Sequence, residues 1–158
     1  MLIKPKKSLG QNFLIDKNII RYIADIAEIN ENDTLLEIGP GTGNLTKELL
    51  LKKPKKIIVV EKDKNLSTEL KNNFYNQIQI LNEDILKIDE EILSKEKMIF
   101  FGNLPYNISS QILIKWIKLK NLNSICKKLI LMFQKEVADR IISKFNNQNY
   151  SRISILSS

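Results

Sequence analysis

Asn103-Leu104-Pro105-Tyr106 closes an apolar run, Met98-Ile99-Phe100-Phe101, that reads as a buried strand. An amide, a stiff proline and an aromatic ring therefore stand at a strand's carboxyl end, where open α/β sheets hold their chemistry. The Asn103 amide oxygen and a backbone carbonyl near Leu104 can accept from an exocyclic NH2. Pro105 fixes φ without adding a donor, and Tyr106 offers a face to a flat base. The set points to chemistry on an amino group such as adenine N6. Such a tetrapeptide also serves as a plain strand-ending turn, so its weight comes from its neighbours.

The first neighbour is Glu37-x-Gly39-x-Gly41-x-Gly43, at the end of the short apolar run Thr34-Leu35-Leu36-Glu37-Ile38. Glycines at such a strand end let the backbone approach a ligand that a Cβ would obstruct. No Gly-Lys-Ser/Thr follows, and the third glycine lacks the offset of a dinucleotide fingerprint, which disfavours a diphosphate cradle. Glu37 before the turn suits a cofactor bearing an ammonium and a sulfonium, which favours S-adenosyl-L-methionine. Glu61 follows the next apolar run, Ile57-Ile58-Val59-Val60, and can accept from both hydroxyls of a ribose. Asp84, with Ile85 beside it, follows Ile78-Gln79-Ile80-Leu81 and can accept from an adenine amino group, leaving Glu83 to solvent. Gly10-Gln11-Asn12-Phe13-Leu14 combines two amides with an aromatic and can fold over a bound cofactor.

These residues need a scaffold that sets several strand ends side by side. Residues 17–29 carry apolar side chains at helical spacing behind Asp16, a plausible N-cap. Helical spacing returns at 44–50, 63–74, 109–120 and 135–144. Strands are expected at 34–38, 57–61, 78–81, 98–101 and 129–133. Alternating strand and helix implies α/β architecture with a doubly wound, mostly parallel sheet. No repeat or linker divides the chain, which reads as a single domain. Residues 152–158 open a further apolar segment in which the sequence stops, and a frayed tail after a five-stranded sheet is the alternative.

The 158 residues suffice for one buried core. Zero histidines and one cysteine, Cys126, disfavour zinc chemistry, a histidine-dependent nucleophile and an intrachain disulfide. No apolar run reaches membrane-spanning length and the amino terminus lacks a signal core, so a cytoplasmic location is expected. The net charge is +7, and residues 111–158, with 9 basic and 2 acidic side chains, supply all of it. Lys4, Lys6 and Lys7 form a second basic cluster. A polyanion such as nucleic acid fits both clusters, as do ordinary solvated faces of a lysine-rich protein.

Gln11-Asn12-Phe13-Leu14, Glu37 to Gly43, Asn103 to Ile108 and Phe133-Gln134-Lys135-Glu136-Val137, in that order, resemble the ribosomal RNA adenine N6-dimethyltransferases of the KsgA type. The erythromycin-resistance methyltransferases of the large subunit share most of these motifs. Leu104 and Tyr106-Asn107-Ile108-Ser109 look more like the small-subunit type. The resemblance implies a Rossmann-like methyltransferase fold with S-adenosyl-L-methionine as cofactor. Its cofactor-binding candidates are Gln11, Asn12, Leu14, Gly39, Gly41, Gly43, Glu61, Asp84, Ile85 and Asn103. Its catalytic candidates are Asn103, Leu104, Pro105 and Tyr106, with Tyr106 stacking on the target adenine and no metal. The implied activity is dimethylation of two adjacent adenines of small-subunit ribosomal RNA by a monomer. Family members continue past the position of Ser158 with further strands and a small helical domain, so weak or absent turnover is expected of these residues alone. A non-catalytic ribosome-assembly or RNA-binding factor, a large-subunit enzyme and a DNA adenine methyltransferase are the alternatives.

Overall fold

The computed structural model describes residues 5–6 and 10–157; Lys4 and Lys7 of the amino-terminal basic cluster lie outside the described residues. Helix α1 spans Lys17–Ile26, with the Asp16 carboxylate accepting from the Asn18 and Ile19 N–H groups. It stops short of Ile29 because Ala27 caps it and Glu28 takes a left-handed φ of 52°. Then follow β1 (Thr34–Ile38), α2 (Asn44–Leu51), β2 (Lys56–Val60), α3 (Lys64–Phe74) and β3 (Gln79–Leu81). Two 3-10 turns, Ile85–Lys87 and Glu90–Ile92, lead to β4 (Met98–Asn103). The chain continues through α4 (Ser109–Ile117), α5 (Leu122–Ile125), β5 (Cys126–Met132), α6 (Lys135–Ile141) and α7 (Arg152–Ser157).

All five strands are parallel, in the order β3-β2-β1-β4-β5. The winding reverses between β1 and β4, and the crevice beyond their carboxyl ends is the place for a ligand in such a sheet. Strand pleating sorts the core into two layers. Leu35, Ile57, Val59, Ile99 and Phe101 pack with α1, α2 and α3 on one face. Leu36, Ile38, Ile58, Val60 and Phe100 pack with Ile112 and Trp116 of α4 on the other. Covered on both faces, β1 is buried throughout, as parallel strands must be.

Residues 152–157, read as the start of an apolar segment, form a helix whose Ser154 hydroxyl donates to the Arg140 carbonyl. Strand β5 begins at Cys126 rather than Leu129. Lys127 and Lys128 interrupt its apolar pattern yet pair with Asp33 and Glu28. No helix among the described residues is long and apolar enough to cross a membrane.

Candidate cofactor cleft

The crevice at the winding reversal is a cleft with about 820 Å³ of open space, mouth included. Gly39 enters it directly after β1, its N–H extending the ladder to the Val60 carbonyl at 3.0 Å. Its φ of 66° is left-handed, and a Cβ there would stand 3.2 Å from the Asn103 backbone oxygen. Gly41 faces the Phe13 ring, which a Cβ would meet at 3.0 Å. Gly39 and Gly41 thus keep open the space between the first turn, β4 and the amino-terminal segment.

Glu61, one residue past β2, is buried against the glycine turn. Its carboxylate accepts from the Asp63 N–H at 2.8 Å and the Gly41 N–H at 3.3 Å. Burial raises its pKa despite backbone N–H groups of Asp63, Gly41 and Lys62 that oppose the shift. A carboxylate offers about four lone-pair sites, so Glu61 keeps acceptor capacity for a ligand hydroxyl. Across the cleft, Asp84 caps the 3-10 turn by accepting from the Leu86 N–H and pairs with Lys62 at 2.8 Å. The Lys62 hydrogen bond holds its carboxyl below the usual range. Ile85 lies beside it as a buried apolar wall. Three carboxylates, Glu61, Glu83 and Asp84, line the cleft against one cation, Lys62, which suits a positively charged ligand.

Residues 10–14 strap across this cleft. The Asn103 side-chain amide donates to the Asn12 backbone oxygen at 2.7 Å, and the Asn12 amide donates to the Tyr106 hydroxyl. Asn44 donates to the Leu14 carbonyl at 2.9 Å. Gln11 and Lys6 reach the nearly buried Asp63, the N-cap of α3, with Lys6 at 2.7 Å. Gln11, Asn12, Gly39, Gly41, Glu61, Asp84, Ile85, Asn103 and Pro105 all line the cleft. Leu14 lines a smaller recess beside it, with Glu37, Gly39 and Asn103.

Three candidates lie elsewhere. Gly43 lines neither space; it is the left-handed N-cap of α2, and a Cβ would meet the Phe74 ring at 2.5 Å, so its missing side chain serves packing of α2 on α3. Leu104 is buried beneath the site against Gly102, leaving only its backbone for a ligand. Tyr106, 42% exposed, stands outside the cleft on its Asn12 contact. Glu37 also departs from the expectation of an open ligand group. It shares the parity of Leu35, so pleating turns it under α2, where it accepts from the Thr46 hydroxyl at 2.7 Å. Burial there, with Glu61 nearby, pushes its pKa up to about 7. Asp63 and Asn107 were not foreseen. Asp63 had a local signal, an acidic residue just before a helical run; Asn107, which packs its amide on Gly10, lay inside a motif that carried the resemblance but was given no role of its own.

A family model described as ribosomal RNA adenine dimethylase matches residues 3–158. A curated relative, ribosomal RNA small subunit methyltransferase A of Pelagibacter ubique (strain HTCC1062), is 58% identical over 158 residues, all of this chain and 60% of its own length. A solved dimethyladenosine transferase from Plasmodium falciparum superposes with a TM-score of 0.79 at 34% identity, over 92% of this chain and 51% of that one. The 23S rRNA methyltransferase ErmE gives 0.72 at 28% identity, over 92% and 55%. The chain therefore spans about 60% of the length of the curated relatives it matches.

Proposed function

The chain belongs to the ribosomal RNA adenine dimethylase family, and on that footing we propose that residues 1–158 form the S-adenosyl-L-methionine-binding domain of an enzyme dimethylating N6 of two adjacent adenines in small-subunit ribosomal RNA. The observation that carries this reading is the meeting of Gly39, Glu61, Asp84 and Asn103 in one acidic cleft at the winding reversal. The residues fit the cofactor: a glycine cradle that a Cβ would fill, a buried carboxylate with free lone pairs, and an excess of negative charge.

Bound S-adenosyl-L-methionine supplies an electrophilic methyl group. Glu61 holds the ribose hydroxyls, while Asp84 and Ile85 take the adenine ring. The strap, with Phe13 lying on Gly41, shields this space from water. Asn103 spends its amide N–H on Asn12, which leaves its oxygen to accept from the target amine. Pairing that oxygen with a backbone carbonyl near Leu104 orients a weakly nucleophilic nitrogen; positioning of this kind can lower a barrier by about 7–11 kcal/mol. Tyr106, released from Asn12, stacks on the base for roughly 1–3 kcal/mol. Lys118, Lys120, Lys135, Arg140, Lys144 and Arg152 form no ion pair among the described residues and are available to the RNA backbone; Lys115, Lys127 and Lys128 are spent on internal pairs.

The test is calorimetric titration of S-adenosyl-L-methionine into the purified chain and its Glu61→Ala and Asp84→Ala variants. Saturable one-to-one binding, lost in both variants, is expected. A folded chain that binds nothing would overturn the assignment of the cleft.

A further inference from the structure

Lys115 lies two turns into α4, yet its ammonium works on the connection between β3 and β4. It donates to the Ile85 carbonyl at 2.7 Å, to the Ile88 carbonyl, and to Glu90 Oε1 at 2.7 Å. An ammonium has three donors, and here each has an acceptor. Glu90 is buried, and the same oxygen accepts from the Trp116 indole N–H at 2.7 Å. The first carbonyl belongs to Ile85, a wall of the cofactor cleft, within the turn that Asp84 caps. Helix α4 meets the cleft again at its start, where Ile108 is its N-cap. One helix thus reaches the side holding Asn103 and, through Lys115, fixes the opposite side holding Asp84.

We propose that Lys115, with Glu90 as its counter-ion, is a positioning residue that sets how the cleft recognises the purine of its cofactor, so that selectivity for a 6-amino over a 6-oxo purine depends on it. The proposal rests on the cofactor reading above. Lys115 touches no ligand-facing space itself. It pins two carbonyls of a short turn whose other bonds are Lys87 N–H to the Asp84 backbone oxygen, Ile88 N–H to the Ile85 oxygen, and Leu86 N–H to the Asp84 carboxylate, which Lys62 also holds. Removing the ammonium loosens the Ile85 to Ile88 backbone, and the Asp84 acceptor, still bonded to Leu86 and Lys62, shifts with that turn relative to the purine edge. Contacts to the ribose through Glu61 come from β2 and do not depend on this turn.

The experiment is calorimetry of S-adenosylhomocysteine and its 6-oxo analogue, S-inosylhomocysteine, on the chain and on Lys115→Met, Lys115→Arg and the double variant Lys115→Met/Glu90→Gln, with thermal melts alongside. The double variant leaves no unpaired buried charge and gives Trp116 an amide oxygen to bond, so it tests the role should Lys115→Met alone not fold. The unaltered chain is expected to favour the 6-amino ligand by about tenfold, the scale of one well-made hydrogen bond. That preference should collapse in the folded Met variants, with 6-oxo binding nearly unchanged, and persist in Lys115→Arg. Equal weakening of both ligands, an unchanged ratio, or no preference in the unaltered chain would overturn the positioning role. So would unfolding of both Met variants, which would assign Lys115 to stability alone. Binding of neither ligand by the unaltered chain would instead sink the cofactor reading, and this role with it.

Discussion

Asn103 gives its side-chain N–H to the backbone oxygen of Asn12 at 2.7 Å, joining residues 91 positions apart across the mouth of the cleft. The bond makes the strand end that would hold the target base also the latch of the strap over the cofactor. Asn103→Ala should therefore weaken S-adenosyl-L-methionine binding by about tenfold or less, the worth of one hydrogen bond, and make residues 10–14 more susceptible to protease. Calorimetry and limited proteolysis check both. RNA association should survive this variant. An assembly factor without catalysis would keep its cellular function as well, whereas an enzyme would lose it.

Tyr106 separates latch from stack. In Tyr106→Phe the ring remains but the hydroxyl that Asn12 contacts is gone. Cofactor dissociation should quicken a few-fold with little loss of RNA affinity. Tyr106→Ala should forfeit roughly 1–3 kcal/mol of base binding in addition. Stopped-flow displacement and RNA titration distinguish the pair.

Gly39→Ala is predicted to damage both fold and site. The left-handed φ costs an L-residue about 1–2 kcal/mol, and the new methyl would press on the Asn103 backbone at 3.2 Å. Urea denaturation should show at least that loss. Gly43→Ala should be as destabilising, because of Phe74, yet its folded fraction should bind cofactor with nearly unaltered affinity.

Glu37 supplies a pH signature. Its folded-state pKa is raised from 4.5 to about 7, so the fold binds its proton more tightly than the unfolded chain does. Its contribution is fully present below pH 4.5 and is lost as pH rises through 7, a swing of about 3 kcal/mol at most. Glu37→Gln keeps an acceptor for Thr46 and should be more stable than the parent at pH 8, with the advantage vanishing near pH 4.5. Denaturation across that range is the measurement. A cationic ligand in the recess beside Glu37 should also expel its proton near neutral pH. Calorimetry in buffers of different ionisation enthalpy would register that release, and the Gln variant should abolish it.

Asp63 anchors the strap and caps α3 with one carboxylate. Asp63→Asn retains a capping oxygen and should cost little stability, whereas Asp63→Ala should cost about 1 kcal/mol. Both should loosen Lys6, and melting curves with proteolysis of the amino-terminal segment separate the two functions.

Strand ends were the legible part of this molecule. Gly39, Glu61, Asp84 and Asn103 each follow an apolar run, and parallel pairing brings such ends together whatever the details between them. The glycine run was less legible. Spacing alone does not distinguish Gly41, which clears space over the cleft, from Gly43, which clears space for Phe74 thirty-one residues on. Glu37 carried a usable but unused signal, since its parity with Leu35 already put it on the helix-covered face. The start of β5 stayed hidden because Lys127 and Lys128 break the apolar run, and the Asp33 and Glu28 carboxylates they pair with lie roughly a hundred residues away. Lys115 was hidden for the same reason. A lysine on an apolar helix reads as a solvated charge until the carbonyls of another connection come within its reach.

Trp116 is the chain's single tryptophan. It is wholly buried, edge-on to Phe100 at 5.2 Å between ring centres, with its indole N–H held by Glu90. The chain thus carries one indole fluorophore, which can be excited apart from its four tyrosines and is seated on the far end of the clamp that holds a wall of the cleft. Its emission should be blue-shifted and poorly quenched by iodide in the folded state. Any ligand that tightens the connection after β3 can be followed through it without attaching a dye.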